Sequence, residues 1–76
     1  WSGNMVRGER IKSARVAAGR TQRQVADHFG LVISTVCRWE SGDVDPGTDR
    51  IAELAQLFGV APEWLAFGVG GDQGAA

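Results

Sequence analysis

Five glycines, Gly19, Gly30, Gly42, Gly59 and Gly68, each stand just past a run of periodically spaced apolar residues. A glycine there supplies the left-handed residue that closes a helix, so the chain is confined to short helices between close stops. The runs predict five. The first covers 6–18, with Ile11, Ala14 and Ala18 on one face and Gly8 weakening its first turn. The second opens at Thr21, where Thr21-x-x-Gln24 has the form of a capping box. The third covers 33–41. The fourth covers 49–58, with Thr48 as its candidate N-cap and Ile51, Leu54, Ala55 and Phe58 turned inward. The last opens on Pro62, a residue suited to a first helical position, and carries Trp64, Leu65 and Phe67. No stretch alternates with period two for long enough to form a strand. The expected class is all-α, a compact five-helix domain.

With 76 residues the chain is one small domain with a marginal core. Cys37 is its only cysteine, so no disulfide closes within it, and Cys37 with His28 falls short of a four-ligand zinc site. Neither a metal nor a cofactor is expected. Stability must come from helix packing, with dimerisation as support. Catalysis is not expected: no paired carboxylates, metal cluster or phosphate-cradling loop is present, and Cys37 and His28 lack an orienting third group. No apolar run approaches the ~20 residues that cross a bilayer. A free thiol without an export signal fits the cytoplasm. Residues 1–4 read as a cloning remnant ahead of Met5, residues 5–68 as the domain, and 69–76 as a flexible glycine-rich tail or the start of a linker.

Net charge is −1, but its distribution is uneven. Through Gly42 seven basic residues (Arg7, Arg10, Lys12, Arg15, Arg20, Arg23 and Arg38) face three acids, a net of +4. From Asp43 onward Arg50 alone faces six acids, a net of −5. The pattern implies a basic working face on an otherwise acidic domain.

The stretch TQRQVADHFGLVISTVCRWESG joins the second and third runs through only Gly30-Leu31-Val32. So short a link predicts a crossing near a right angle, the helix-turn-helix unit. Val25, Phe29, Leu31, Val36 and Trp39 would share its core, Ala26 would allow close approach, and Gly30 would carry the turn. Helical spacing then turns Ile33, Ser34, Cys37, Arg38 and Ser41 away from that core. Arginine can donate twice to guanine, serine can donate or accept, and isoleucine can touch only a thymine methyl or another apolar surface.

These residues, with RIKSAR ahead of them and LFGVAPEWLAFG behind, resemble the Cro/repressor (XRE, lambda-repressor-like) helix-turn-helix family. The resemblance implies duplex DNA binding by a bacterial or phage transcriptional regulator, a repressor in the first instance. It implies base reading by Ile33, Ser34 and Arg38. It implies backbone contacts near the start of the second helix and along the third, from Thr21, Gln22, Arg23, Thr35 and Cys37. Arg15 and Glu40 match a structural ion pair, and Trp64, Leu65 and Phe67 lie where the family makes dimer contacts. The implied partner is an inverted-repeat operator bound by a homodimer, with no membrane involved.

The pattern is broken in three places. Val32 stands where a capping Ser or Thr is usual, which costs about 1 kcal/mol. Ile33 stands in place of a polar reader. Asp43 and Asp45 stand where relatives carry cations near phosphate, which weakens attraction to DNA. These departures sustain an alternative, the same fold used as an antitoxin-like or adaptor module that binds protein.

Overall fold

The computed structural model describes residues 6–69. The expected remnant at 1–4 and nearly all of the expected 69–76 tail lie outside the described residues. Five helices follow in order: α1 (Arg7–Ala17), α2 (Gln22–Phe29), α3 (Ile33–Ser41), α4 (Thr48–Phe58) and α5 (Pro62–Phe67). No strand occurs among the described residues, and the expected all-α class is the observed one.

Local chemistry fixes most boundaries. Thr21 caps α2 as anticipated: its Oγ1 accepts from the Gln24 N–H at 3.0 Å, and its own N–H donates to Gln24 Oε1 at 2.8 Å. Gly30 closes α2 at φ 69°, with Leu31 N–H bonded to the Ala26 carbonyl and Gly30 N–H to Asp27. That is the Schellman arrangement. A Cβ on Gly30 would meet nothing within 4 Å, so backbone conformation alone demands the glycine. Three details differ from the sequence reading. Val6 and Ala18 flank α1 as caps, and Ala18 is exposed rather than inward. Thr48 is the first residue of α4 and Gly47 is its N-cap, because the Asp45 side chain captures the Gly47 N–H in a local turn at 3.1 Å.

The core draws on every helix: Ile11 and Ala14 from α1, Val25 and Ala26 from α2, Val36 and Trp39 from α3, Ile51, Leu54, Ala55 and Phe58 from α4, Trp64 and Leu65 from α5. Phe29 meets Trp39 edge-on at 6.3 Å. The Arg50 guanidinium lies 4.6 Å from the Phe29 ring centre, closing the core's rim. The apolar content of α5 is therefore largely absorbed within the domain.

α1 packs against α3, α4 and α5. Its contact with α3 depends on Gly8, whose role is opposite to the expected weakening. A Cβ there would sit 2.5 Å from the Glu40 carbonyl oxygen and 2.7 Å from that of Trp39. On the α5 side, Arg10 is 8% exposed and donates to the Leu65 and Ala66 carbonyls at 3.1 and 2.9 Å. Arg7 Nε joins it on Ala66 at 3.0 Å. Two arginines thus satisfy the open carbonyls at the end of α5. Burial first, and repulsion from Arg7 second, holds the Arg10 pKa below its usual value, though an arginine remains charged at any physiological pH.

Gly8→Ala is expected to lower stability by about 1–3 kcal/mol through overpacking, even though alanine is the better helix former. Thermal melts check this; an unchanged or raised melting temperature would contradict the close approach.

Candidate nucleic-acid interface

α2 and α3 pack against each other across the Gly30-Leu31-Val32 link. Val36 and Trp39 hold α3 to the core, at 0% and 5% exposure. The other side of α3 is open: Ile33, Ser34, Cys37, Arg38 and Ser41 are exposed, and Thr35 is half-buried. Ser34 and Arg38 are four residues apart, one above the other on a single strip. Ser41 Oγ folds back onto the Arg38 carbonyl at 3.1 Å.

Behind that strip runs a continuous hydrogen-bonded chain. Glu40 has only 5% of its side chain exposed and accepts from Arg15 Nε at 2.6 Å. Arg15 also donates to the Arg20 carbonyl at 2.9 Å, which ties down the loop before α2. Gln22 Nε2 donates to Glu40 Oε1 at 2.9 Å, and Cys37 Sγ donates to Gln22 Oε1 at 3.2 Å. Because an ionised carboxylate only accepts, it forces the NH₂ end of Gln22 toward Glu40 and the oxygen toward Cys37. One Gln22 N–H remains for an outside acceptor, beside the Thr21 hydroxyl hydrogen and the first free N–H groups of α2. The Arg15–Glu40 ion pair, a match implied by the family resemblance, is formed in the structure. The Gln22 branch was not legible, since nothing in either residue's local context marks a partner 18 positions away.

The basic half of the chain is partly consumed by the fold. Arg10 serves α5. Arg15 serves Glu40. Arg7 pairs with Asp45 at 2.5 Å. Lys12, Arg20, Arg23 and Arg38 are exposed and form no ion pair among the described residues. The pairing also moderates one of the two acids that appeared unfavourable: Asp45 faces Arg7, and only Asp43 stands open.

The residues expected at a dimer contact separate. Trp64 and Leu65 are 8% and 0% exposed and belong to the core, whereas Phe67 is 69% exposed. Packing against α1 and α4 buries the first two within one copy, so only Phe67 is available to a partner. Among the described residues no helix is long and apolar enough to cross a membrane.

Five packed helices, with a tight α2–α3 unit and an open polar strip on α3, define a small helix-turn-helix domain. The chain matches the helix-turn-helix family HTH_3 over residues 11–65 and belongs to that family, of the XRE, lambda-repressor-like kind. It is similar to the HTH-type transcriptional regulator DicA of Escherichia coli, 32% identical over 86% of this chain and 48% of the relative. It is similar to the HTH-type transcriptional regulator ImmR of Bacillus subtilis, 33% identical over 76% of this chain and 46% of the relative. An uncharacterised HTH-type transcriptional regulator of Haemophilus influenzae is 41% identical over 59% of the chain and 19% of the relative. The chain spans half or less of the length of these relatives.

Arg15→Ala is expected to destabilise the domain by ~3–5 kcal/mol, because Glu40 is left charged and buried without its cation. Adding Glu40→Gln should recover part of the loss. Equal melting temperatures for the wild type and Arg15→Ala would show that the pair contributes nothing.

Proposed function

We propose that this chain is the DNA-reading domain of a transcriptional regulator, acting as a repressor on an inverted-repeat operator. The observation that carries this reading is the division of α3: Val36 and Trp39 face the core, while Ile33, Ser34 and Arg38 share the open face. In a helix-turn-helix the second helix lies in the major groove with its leading residues against base edges. Arg38 donates to guanine O6 and N7, and Ser34 supplies a donor or acceptor beside it. Thr21, Gln22, Arg23, Thr35 and Cys37 face the sugar–phosphate backbone, which fixes register without reading sequence. The relatives, all HTH-type transcriptional regulators by name, support the same reading. The domain acts by binding rather than by catalysis.

Two copies meet on the operator through the face that carries Phe67. Its ring lies 5.9 Å from the Arg7 guanidinium and borders a shallow, mostly apolar groove floored by Ile51, Ala52 and Ala66. Half-sites about one helical turn apart suit such a pair.

Selection of duplexes from a random pool tests the reading: an enriched palindromic motif is expected. Failure to enrich any duplex at low salt would favour the protein-binding module instead.

On the enriched duplex, Arg38→Ala should cost about 1–3 kcal/mol and relax preference at one position per half-site. Arg23→Ala should weaken all sequences together and make the log–log salt slope shallower by about 1. Titrations against single-base variants at several salt concentrations separate the two behaviours. Phe67→Ser should leave affinity for a single half-site intact and reduce cooperative binding to the full repeat, as read from a gel-shift isotherm.

A further inference from the structure

The leading end of α3 is built against the ordinary rule for helix starts. Val32 is its N-cap residue, in extended conformation at φ −81° and ψ 151°, and no side chain caps the helix. Of the five helices among the described residues only α2 has an N-cap side chain bonded to its first turn, in the Thr21–Gln24 box, while the N-cap residues of α1, α4 and α5 make no such bond either. Val32 gives nothing to the core in return: it is 67% exposed. Ile33, the next residue, is 41% exposed, and neither belongs to the core cluster or to the apolar residues packed against it. Two adjacent aliphatic side chains therefore stand open where a polar residue would stabilise the fold. What sets this end of α3 apart is the aliphatic pair itself, left open beside Ser34 and Arg38 with no gain to the core, and such a local cost marks a functional position.

The two residues are continuous with the Ser34–Arg38 strip, at the end of α3 that enters deepest toward base edges. Most of what a major groove offers there is polar and gives an aliphatic group nothing. The exception is the C5-methyl group of a pyrimidine. We propose that Val32 and Ile33 form an apolar reader of pyrimidine C5-methyl groups, so that the operator carries thymine opposite the start of α3. The inference rests on the DNA-reading function proposed above and names its substrate more closely. Its chemistry makes a further demand: the reader senses the methyl, not the remaining edge of the base. Uracil in place of thymine must weaken binding, and 5-methylcytosine must bind better than cytosine at the same position.

The experiment uses the selected duplex with each thymine replaced in turn by deoxyuridine. Burying one methyl group in an apolar contact corresponds to about fourfold in affinity. About a fourfold loss is expected at one or two positions per half-site, and little change elsewhere. Ile33→Ala should abolish the thymine–uracil difference at its position while leaving the guanine preference of Arg38 in place. Val32→Ser is the second variant, and it cannot fail by unfolding. Serine supplies the missing cap, so its melting temperature should rise even as methyl discrimination falls. A duplex that binds equally well with thymine and uracil throughout overturns the proposal. So does a uracil penalty that persists undiminished in both variants. Absence of any enriched duplex is a different result, since it removes the DNA-reading function itself.

Discussion

The carboxylate of Glu40 is the point on which the mutual placement of α1, α2 and α3 depends. It is nearly excluded from solvent and holds Arg15 of α1 and Gln22 of α2 from its own position on α3. A charge so placed is stable only while its partners stay within hydrogen-bond reach. The requirement fixes three helices against one another with directional bonds, where apolar packing alone would leave them free to slide. Gly8 makes the arrangement possible by letting the α1 backbone come up to the Trp39 and Glu40 carbonyls. Gly8 and Arg15 lie seven residues, two turns, apart on the same side of α1. The close approach and the ion pair are two parts of one contact.

Much of this architecture was legible in the sequence because its signals are local. The Thr21–Gln24 box, the Gly30 turn, the Pro62 start and the inward stripe of Val36 and Trp39 each follow from neighbours a few positions apart. The misreadings arise where a residue's partner lies on another helix. Gly8 resembled a weak helix former because helix propensity knows nothing of the carbonyls it would meet. Arg7 and Arg10 were counted toward a DNA-facing charge, yet they close the end of α5 some 55–59 positions away. Trp64 and Leu65 were placed with Phe67 at a dimer contact, yet they are buried within the domain, because the apolar area offered by α1 and α4 cannot be read from α5 itself. Within the candidate interface the open face of α3 was legible from helical spacing, while the Glu40–Gln22–Cys37 chain behind it was not.

The redistribution of charge alters the electrostatic picture as well. A simple count gives the first half of the chain +4. Three of its arginines are engaged in holding helices together, and among the described residues the other cations of that half, Lys12, Arg20, Arg23 and Arg38, are scattered over α1, the loop before α2, α2 and α3. Long-range attraction to a polyanion is correspondingly modest. On the function proposed above, discrimination then falls more heavily on contacts made at short range, by donors and apolar groups on the face of α3.

α1 has one further property, which follows from the two sets of bonds it carries. Through Gly8 and Arg15 it grips α3, and through Arg7 and Arg10 it grips the last carbonyls of α5. It is a rod of 11 residues, roughly 16 Å long, clamped on both sides. Hydrogen bonds to backbone carbonyls tolerate little displacement, so α1 sets the placement of α5 relative to α3. The exposed Phe67 ring on α5 and the open face of α3 are therefore carried on one frame, joined through α1 rather than through a loop.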